Sequence, residues 1–240
     1  MITYKPVANY LGAIGKPNTG LGNQMFQVAS TIGIAINNGY DWVLPTWHNP
    51  FTGDFHIQDI DLPLHKMEWG YQDFNISDNV SLYGYMQAYK HFDHCGDLIR
   101  SLFTFRDQSK GLGGEFIAVH IRRGDYVGKD GYHPLLGADY YNAALGRFPP
   151  LPVYVFTDDV GMASEIYPYP DSFFCDSVNP DKDMELMSHA SHFIIGNSSF
   201  SWWPAWLSRS ENVIAPKDWF GYKYVNLDTS CLFPDHWILI

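Results

Sequence analysis

Three observations predict an α/β fold with a parallel sheet for the second half of the chain. Short runs rich in β-branched and aromatic residues recur there: "FIAVHI", "PVYVFT", "HFIIG" and "NVIAP". Between them lie "YYNAALGRF" and "KDMELMSHA", which are helical in character. This alternation is that of βαβ units whose strands are buried on both faces. Finally, each polar motif in that half stands at the carboxyl end of one of these runs, where open parallel sheets bind ligands.

The first half is less regular. "TGLGN" (residues 19–23) is a glycine-bearing turn. After it Phe26, Ala29, Ile32 and Ile36 recur at helical spacing, so a helix is predicted over 23–38, ending near Gly39. "DWVLP" reads as a short strand, and residues 48–79, rich in Asp, Pro, Gly and aromatics, as loop with short elements. "NVSLYGYMQ" reads as a strand, followed by a helix through about Phe103. "KGLGG" (110–114) is the expected hinge, dividing the chain into domains of 1–110 and 111–240.

Composition narrows the function. A chain of 240 residues with 46% hydrophobic and 17% charged residues is globular. Its net charge of −11 repels nucleic-acid phosphates and anionic lipid, so neither is an expected partner. Aromatics at 17% suit an ordinary core and equally a ring-binding cleft. Cys95, Cys175 and Cys231 are odd in number and widely spaced without C-x-x-C, so neither a disulfide framework nor a zinc site is indicated. No run approaches the ~20 apolar residues of a membrane span, and the N-terminus lacks a signal pattern. The expectation is a reduced, cytoplasmic, soluble protein. G-x-S-x-G and H-E-x-x-H are absent, so hydrolase triads are not supported.

Against so acidic a background, "HIRRGD" (120–125) stands out. Two arginines directly after a buried strand suit a diphosphate, because the guanidinium fork grips phosphate oxygens bidentately and keeps its charge. The alternative is a pair of surface arginines salt-bridged to nearby acids. Gly124 allows a tight turn behind them. In "FTDD" (156–159) the carboxylates either accept hydrogen bonds from a ribose or base edge or cap the next helix. In "GNSSFSWWPAWL" (196–207), Asn197, Ser198 and Ser199 are capping residues at a helix start that also forms an anion site. Trp202, Trp203 and Trp206 are expected in that helix's core. "TGLGN" resembles a phosphate loop only loosely, since Met25 stands where G-x-G-x-x-G needs glycine and there is no Walker lysine. Two D-x-D triplets, 59–61 and 181–183, either hold a nucleotide-bound cation or are chance in an acidic chain.

"GLGNQMFQVA", "VHIRRGDY", "YYNAAL", "VYVFTDD", "DMELMSHASHFIIGNSSFSWWPAWLS" and "VIAPKDWF" together resemble the α-1,2-fucosyltransferases of glycosyltransferase family 11. They occur in the family's order, from about Thr19 to the C-terminus. The H-x-R-R-x-D element is shared with other fucosyltransferases, while "NSSFSWW" and "GLGNQMFQ" are more specific. The resemblance implies a GT-B-like α/β fold of two Rossmann-type domains facing across a cleft. Residues 1–110 would be the acceptor side and 111–240 the GDP-fucose-binding side, with the C-terminal segment able to pack back on the first domain. It implies inverting transfer of L-fucose from GDP-β-L-fucose to the 2-hydroxyl of a galactose in a glycan, with no metal and no cofactor; the alternatives are a fucosyltransferase of another linkage or acceptor, and a non-catalytic sugar-nucleotide- or glycan-binding protein on the same scaffold.

The resemblance also implies site residues. Arg122 and Arg123 would meet the diphosphate, with Arg122 on the β-phosphate. Asp183 would read the guanine edge, Ser198, Ser199 and Phe200 would contact phosphate, and His120, Thr157 and Asp158 would line the nucleotide pocket. Gly22, Asn23 and Gln24 would reach the donor from the first domain, the glycine turn permitting close backbone approach. The general base stays open: Asp125 and His120 are in reach, Asp125 equally orients the arginines, and Asp54 or His56 of the first domain is as plausible. Two features depart from the family pattern: about 18 residues precede the glycine turn, and Pro204 stands where glycine is usual, in the expected first turn of its helix.

Overall fold

The structure is a computed structural model that describes residues 1–7, 20–72, 75–167, 172–176 and 179–240. Thr19, which opens the glycine turn, and the segment from residue 8 before it lie outside the described residues. The chain divides into two compact units, Met1–Arg106 with Leu227–Pro234, and Asp107–Asn226 with Asp235–Ile240.

The first unit has a small parallel sheet of β1 (Ile2–Tyr4), β2 (Leu64–Lys66) and β3 (Val80–Tyr83), in the order β1-β3-β2. Its helix α1 (Leu21–Asn38) covers the expected one and stops at Gly39, which takes φ 69° and donates its N–H to the Ala35 and Ile36 carbonyls. The helix is buried around most of its circumference from Leu21 to Ala35, whereas Ile36, counted in its apolar period, is exposed. Gly33 explains one close contact: a Cβ there would lie 2.1 Å from the His91 carbonyl oxygen, so the short 3-10 turn Tyr89–His91 seats directly on the helix backbone.

Two expectations are corrected in this unit. "DWVLP" forms no strand but isolated bridges, Trp42 to Ile2 and Leu44 to Ile57, because Pro45 ends the run after two pairings. The helix expected before Phe103 is shorter, α2 (Gly96–Leu102), preceded by two 3-10 turns. In "YKHFDHCG" the aromatic and polar residues lack helical periodicity, and Gly96 lies inside the span.

The second unit carries a six-stranded, wholly parallel sheet: β4 (Ile117–Ile121), β5 (Val153–Thr157), β6 (Ser172–Asp176), β7 (His192–Ile194), β8 (Val213–Ala215) and β9 (Ile238–Leu239). Their order is β6-β5-β4-β7-β8-β9. The chain therefore builds outward from β4 in one direction, returns, and builds outward from β4 in the other. Helices α3 (Ala138–Leu145), α4 (Val160–Ile166), α5 (Pro180–Met187) and α6 (Ser199–Leu207) connect the strands. β4 is buried at all five positions, as a central parallel strand requires. Ile117, Val119 and Ile121 pack with Tyr141, Ala144, Val155, Tyr167, Ile194 and Ile214 in one core.

The α/β class with parallel sheets is as expected. β6, α4 and β9 were not legible: "SFFCD" and "WILI" are too short to show a period. Pro204 sits at the sixth position of α6, not in its first turn. It removes the N–H that the Phe200 carbonyl would receive. Trp202 and Trp203 are fully buried there: Trp202 stacks on Trp206, Trp203 meets both edge-on, and Trp237 lies tilted against Trp202. That burial, worth about 1.5–3 kcal/mol for each large side chain, is enough to hold a helix with one missing bond. The expected hinge holds three glycines at positive φ, Gly111, Gly113 and Gly114. It is anchored on the side of the second unit: the buried Glu185 carboxylate accepts from the Ser109 N–H and hydroxyl and from Lys182 Nζ.

Gly33→Ala is expected to lower stability by about 1–3 kcal/mol, since the turn at His91 must move to admit a methyl group. Chemical denaturation of the variant against the parent measures it.

Candidate active site

In an open parallel sheet, the crevice lies where strand order reverses, outside the carboxyl ends of the two strands that diverge. Here those strands are β4 and β7. β4 runs into the arginine pair, and β7 runs through Gly196 into α6. β5, on the far side of β4, delivers its own carboxyl end alongside. The register pairs Ile121 with Thr157, so Arg122 and Asp158 are the next residues out on adjacent strands.

Asp158 organises this end. One carboxylate oxygen accepts the Arg123 backbone N–H at 2.8 Å, and the other lies 2.9 Å from Arg122 Nη1. A Cβ at Gly124 would fall 2.2 Å from that second oxygen, so glycine is required by space and by its φ of 26°. Arg122 Nη2 donates to Asp125 Oδ1 at 2.6 Å, and the guanidinium lies 5.4 Å from the centre of the Tyr126 ring. Burial alone would lower the arginine's pKa, but Asp158 and Asp125 outweigh it and raise it. A guanidinium has five N–H groups. The two carboxylate contacts use two of them, and Nε is buried with no partner. Arg122 thus keeps donors for a ligand while fixed from two sides.

Arg123 is placed otherwise. Its side chain turns inward, with the residue 2% exposed, and donates to the Arg122 and Leu136 carbonyls at 2.8 and 2.5 Å. The expectation that both arginines meet a diphosphate is corrected to this extent: Arg123 ties down the loop that follows β4. Asp159 caps α4 by accepting from Met162 N–H, and Thr157 Oγ1 accepts from the Asp159 N–H. Ser198 caps α6, accepting from Phe200 N–H at 3.3 Å, and Ser199 and Phe200 form its first turn. Asn197 does not cap. Its amide donates to the Pro134 and Trp219 carbonyls, and its own carbonyl accepts from the Tyr126 hydroxyl.

His120 is buried at the end of β4, its ring 5.5 Å from that of Phe200, and its Nδ1 has no partner. Burial, and then the Arg122 charge, push its pKa down to about 3, so the ring is neutral. Asp183 is buried in α5; burial, and then the Asp183 charge, push the Cys175 thiol on β6 up to about 11. Asp181 and Asp183 stand two apart in that helix, about 200° around its axis, and so do not face one point. Asp59 accepts from the Thr46 N–H and hydroxyl. Among the described residues no group of three or more His, Cys, Asp or Glu is placed to hold a metal ion.

The remaining site residues belong to the first unit. Gly22, Asn23 and Gln24 form the first turn of α1; Asn23 Oδ1 accepts from Gln87 at 2.6 Å, and Gln24 Oε1 accepts from His48 N–H at 3.3 Å. Gly20 before them has a negative φ, and a Cβ on it would meet nothing within 4 Å, so the chain's own packing does not call for glycine there. Two partners in the site went unread in the sequence: Asp158 as the arginine's anchor and Tyr126 as the ring beneath it. Tyr126 was inside the quoted motif, but only the register of β4 on β5 reveals Asp158.

Two buried histidines make stability fall with acid. Burial lowers His120 to about 3 and His91 to about 4, while both titrate near 6.5 when unfolded. Their contribution is whole above pH 6.5 and is lost as pH falls from 6.5 toward 4, each by up to about 1.4 kcal/mol per pH unit. Denaturation midpoints measured from pH 7 to pH 4.5 check this.

The family model of Glycosyl transferase family 11 matches residues 79–240. The chain is 32% identical over 188 residues to the α-1,2-colitosyltransferase of Escherichia coli, covering 69% of this chain and 64% of that protein. It is 29% identical over 191 residues to the O-antigen biosynthesis glycosyltransferase WbnK of Escherichia coli, covering 68% and 61%. To galactoside α-(1,2)-fucosyltransferase 1 of Leontocebus fuscicollis it is 27% identical over 244 residues, covering 82% and 66%. The chain thus spans slightly under two thirds of the two bacterial relatives. Among solved structures, that of NodZ α-1,6-fucosyltransferase co-crystallized with GDP is similar with a TM-score of 0.50 at 13% identity, covering 87% of this chain and 91% of that one. The likeness supports the GT-B-type fold. Among the described residues no helix is long and apolar enough to cross a membrane. With the family model covering the greater part of its length, the chain belongs to glycosyltransferase family 11.

Proposed function

We propose that the protein transfers L-fucose from GDP-β-L-fucose to the 2-hydroxyl of a galactose in a glycan, with inversion. One observation carries this reading: a guanidinium held by two carboxylates at the switch point of a parallel sheet, beside a capped helix N-terminus. The family and the activities of the relatives support it.

In this reading the acceptor oxygen attacks C1 of fucose and the bond from C1 to the phosphate oxygen breaks. The electron pair leaves with GDP, and the acceptor proton passes to a base. Negative charge grows on the β-phosphate as the sugar becomes oxocarbenium-like. Arg122 meets that charge with its remaining N–H groups, and the N–H groups at Ser199 and Phe200 assist. These cationic and dipolar groups serve in place of a metal. Asp125 is a positioning residue, since its carboxylate is engaged by Arg122 and has Lys129 Nζ at 3.8 Å. Arg123 positions the loop. His120, neutral and with Nδ1 open, Thr157 and Asp158 line the nucleotide side, and Asp183 reads the base.

A second reading concerns the donor. A relative at 32% identity is a colitosyltransferase, so GDP-colitose belongs in the same assay.

The test is GDP release from GDP-fucose, with and without lactose, in EDTA. Lactose-dependent release that survives the chelator is expected; failure to bind GDP-fucose sinks the reading. Arg122→Ala is expected to cut transfer by about 10²–10³ with the fold intact by circular dichroism. Gly124→Ala, which drives a methyl group into the Asp158 carboxylate, is expected to weaken GDP binding about tenfold while leaving the first unit unchanged, as calorimetry measures.

A further inference from the structure

The loop after β4 does not stop at Arg122. Tyr126, under that guanidinium, stacks on His133 at 4.3 Å and 16°. The His133 ring lies 6.2 Å from Phe220, Phe220 lies 5.6 Å from Tyr224, and Tyr224 meets Tyr132 edge-on at 5.2 Å. A file of aromatic rings therefore leads from the diphosphate arginine to the surface of the second unit.

Its outer end is rigid. The loop around residue 221 is bonded to the loop around residue 131 by Gly221 N–H to Tyr132 O and Lys223 N–H to Gly131 O, both 2.8 Å. Gly221 has no room for a side chain, since a Cβ there would meet the Asp130 carbonyl oxygen at 2.2 Å, and at Gly131 a Cβ would press on the Lys223 and Tyr222 side chains at 3.2 Å. On this base Tyr222 is 75% exposed, with Tyr132 and Tyr224 half exposed beside it. Lys223 Nζ stands 4.4 Å from the centre of the Tyr132 ring, and among the described residues no carboxylate lies within 4.0 Å of it.

We propose that Tyr222, flanked by Tyr132 and Lys223, is a stacking platform for a neutral sugar ring of the acceptor glycan. A pyranose offers an apolar C–H face and a rim of hydroxyls. An aromatic ring fixed on backbone matches the face at small entropic cost, and a lysine and tyrosine hydroxyls match the rim. The reason for this occupant is continuity: the platform is bonded to the loop that runs on from Arg122, and the acceptor must reach the sugar that the diphosphate carries. The inference rests on the proposed function, and it puts part of acceptor recognition on the second unit, where the sequence suggested the first.

The experiment compares the full chain with Tyr222→Ala and Tyr222→Phe. Saturation-transfer NMR uses lactose and N-acetyllactosamine as probes, transfer assays give the acceptor KM, and calorimetry gives the affinity for GDP-fucose. Tyr222→Ala is expected to raise the acceptor KM about tenfold and to cut saturation transfer to the galactose protons by a similar factor. Its GDP-fucose affinity should stay within about twofold, and Tyr222→Phe should keep most of the binding. Unchanged acceptor KM and saturation transfer in Tyr222→Ala overturn the platform. So does an equal loss of donor affinity, which makes the patch part of the donor site. Self-association in the ultracentrifuge that Tyr222→Ala abolishes, with acceptor KM unchanged, assigns the patch to a second copy and also overturns it. A parent chain that binds the disaccharides but not GDP-fucose defeats the proposed function and leaves the platform standing. One that binds GDP-fucose and shows saturation of neither disaccharide does the reverse.

Discussion

The Asp158 carboxylate is the constraint on which the rest of the site depends. It reaches Arg122, the Arg123 backbone and the bare Cα of Gly124 at once. A carboxylate so placed fixes where the chain turns after β4 and which way the first guanidinium points. The second guanidinium, sent inward to the Arg122 and Leu136 carbonyls, then holds the far side of the same loop. Adjacent arginines thus do different work because only one faces the carboxylates. The Arg123 guanidinium is stable in its buried place because it donates to two carbonyls, and burying a guanidinium without such partners is costly.

That carboxylate is in place because of the sheet. Parallel pairing of β4 with β5 sets Ile121 beside Thr157, and one more residue brings Arg122 to Asp158. The return of the chain to the other side of β4 brings the start of α6 to the same end. α6 keeps its position despite Pro204 because its tryptophans are buried against one another and Trp237. The Ser198 cap and the tryptophan core belong to one short helix.

Much of this was legible before the coordinates. β4, β5, β7 and β8 are apolar runs bounded by polar turns, and α1, α3 and α5 carry helical periods. The motifs at the strand ends come together because parallel strands deliver their carboxyl ends to one edge of the sheet, where such sheets bind ligands. What could not be read needed long-range information. The register pairs Asp158 with Arg122 across 36 residues (158 − 122). The inward turn of Arg123 depends on Leu136 being near, and sequence treats the two arginines alike. The capping role spread over Asn197, Ser198 and Ser199 fell to Ser198, because Asn197 was drawn to carbonyls at Pro134 and Trp219 that only the folded loops supply. "DWVLP" looked like a strand by composition but had only single pairings available.

The overall charge sharpens the meaning of Arg122. A protein at −11 would repel a sugar nucleotide if its charges acted at long range. In physiological salt, exposed charges fade over about 8 Å, so the acidic surface is largely screened from a ligand already in the site. The partly buried cluster at the end of β4 is screened much less. There the balance is local: Arg122, Arg123 and Lys129 against Asp125 and Asp158, a net of +1 (3 − 2). Net charge of that size is too small to bind a diphosphate by attraction alone. In the proposed function, affinity comes from direction: N–H groups fixed in advance, aimed at the end of the sheet, with little left to reorganise when the ligand arrives. An acidic protein can hold an anion on these terms because two of its own carboxylates, Asp125 and Asp158, are what aim the arginine.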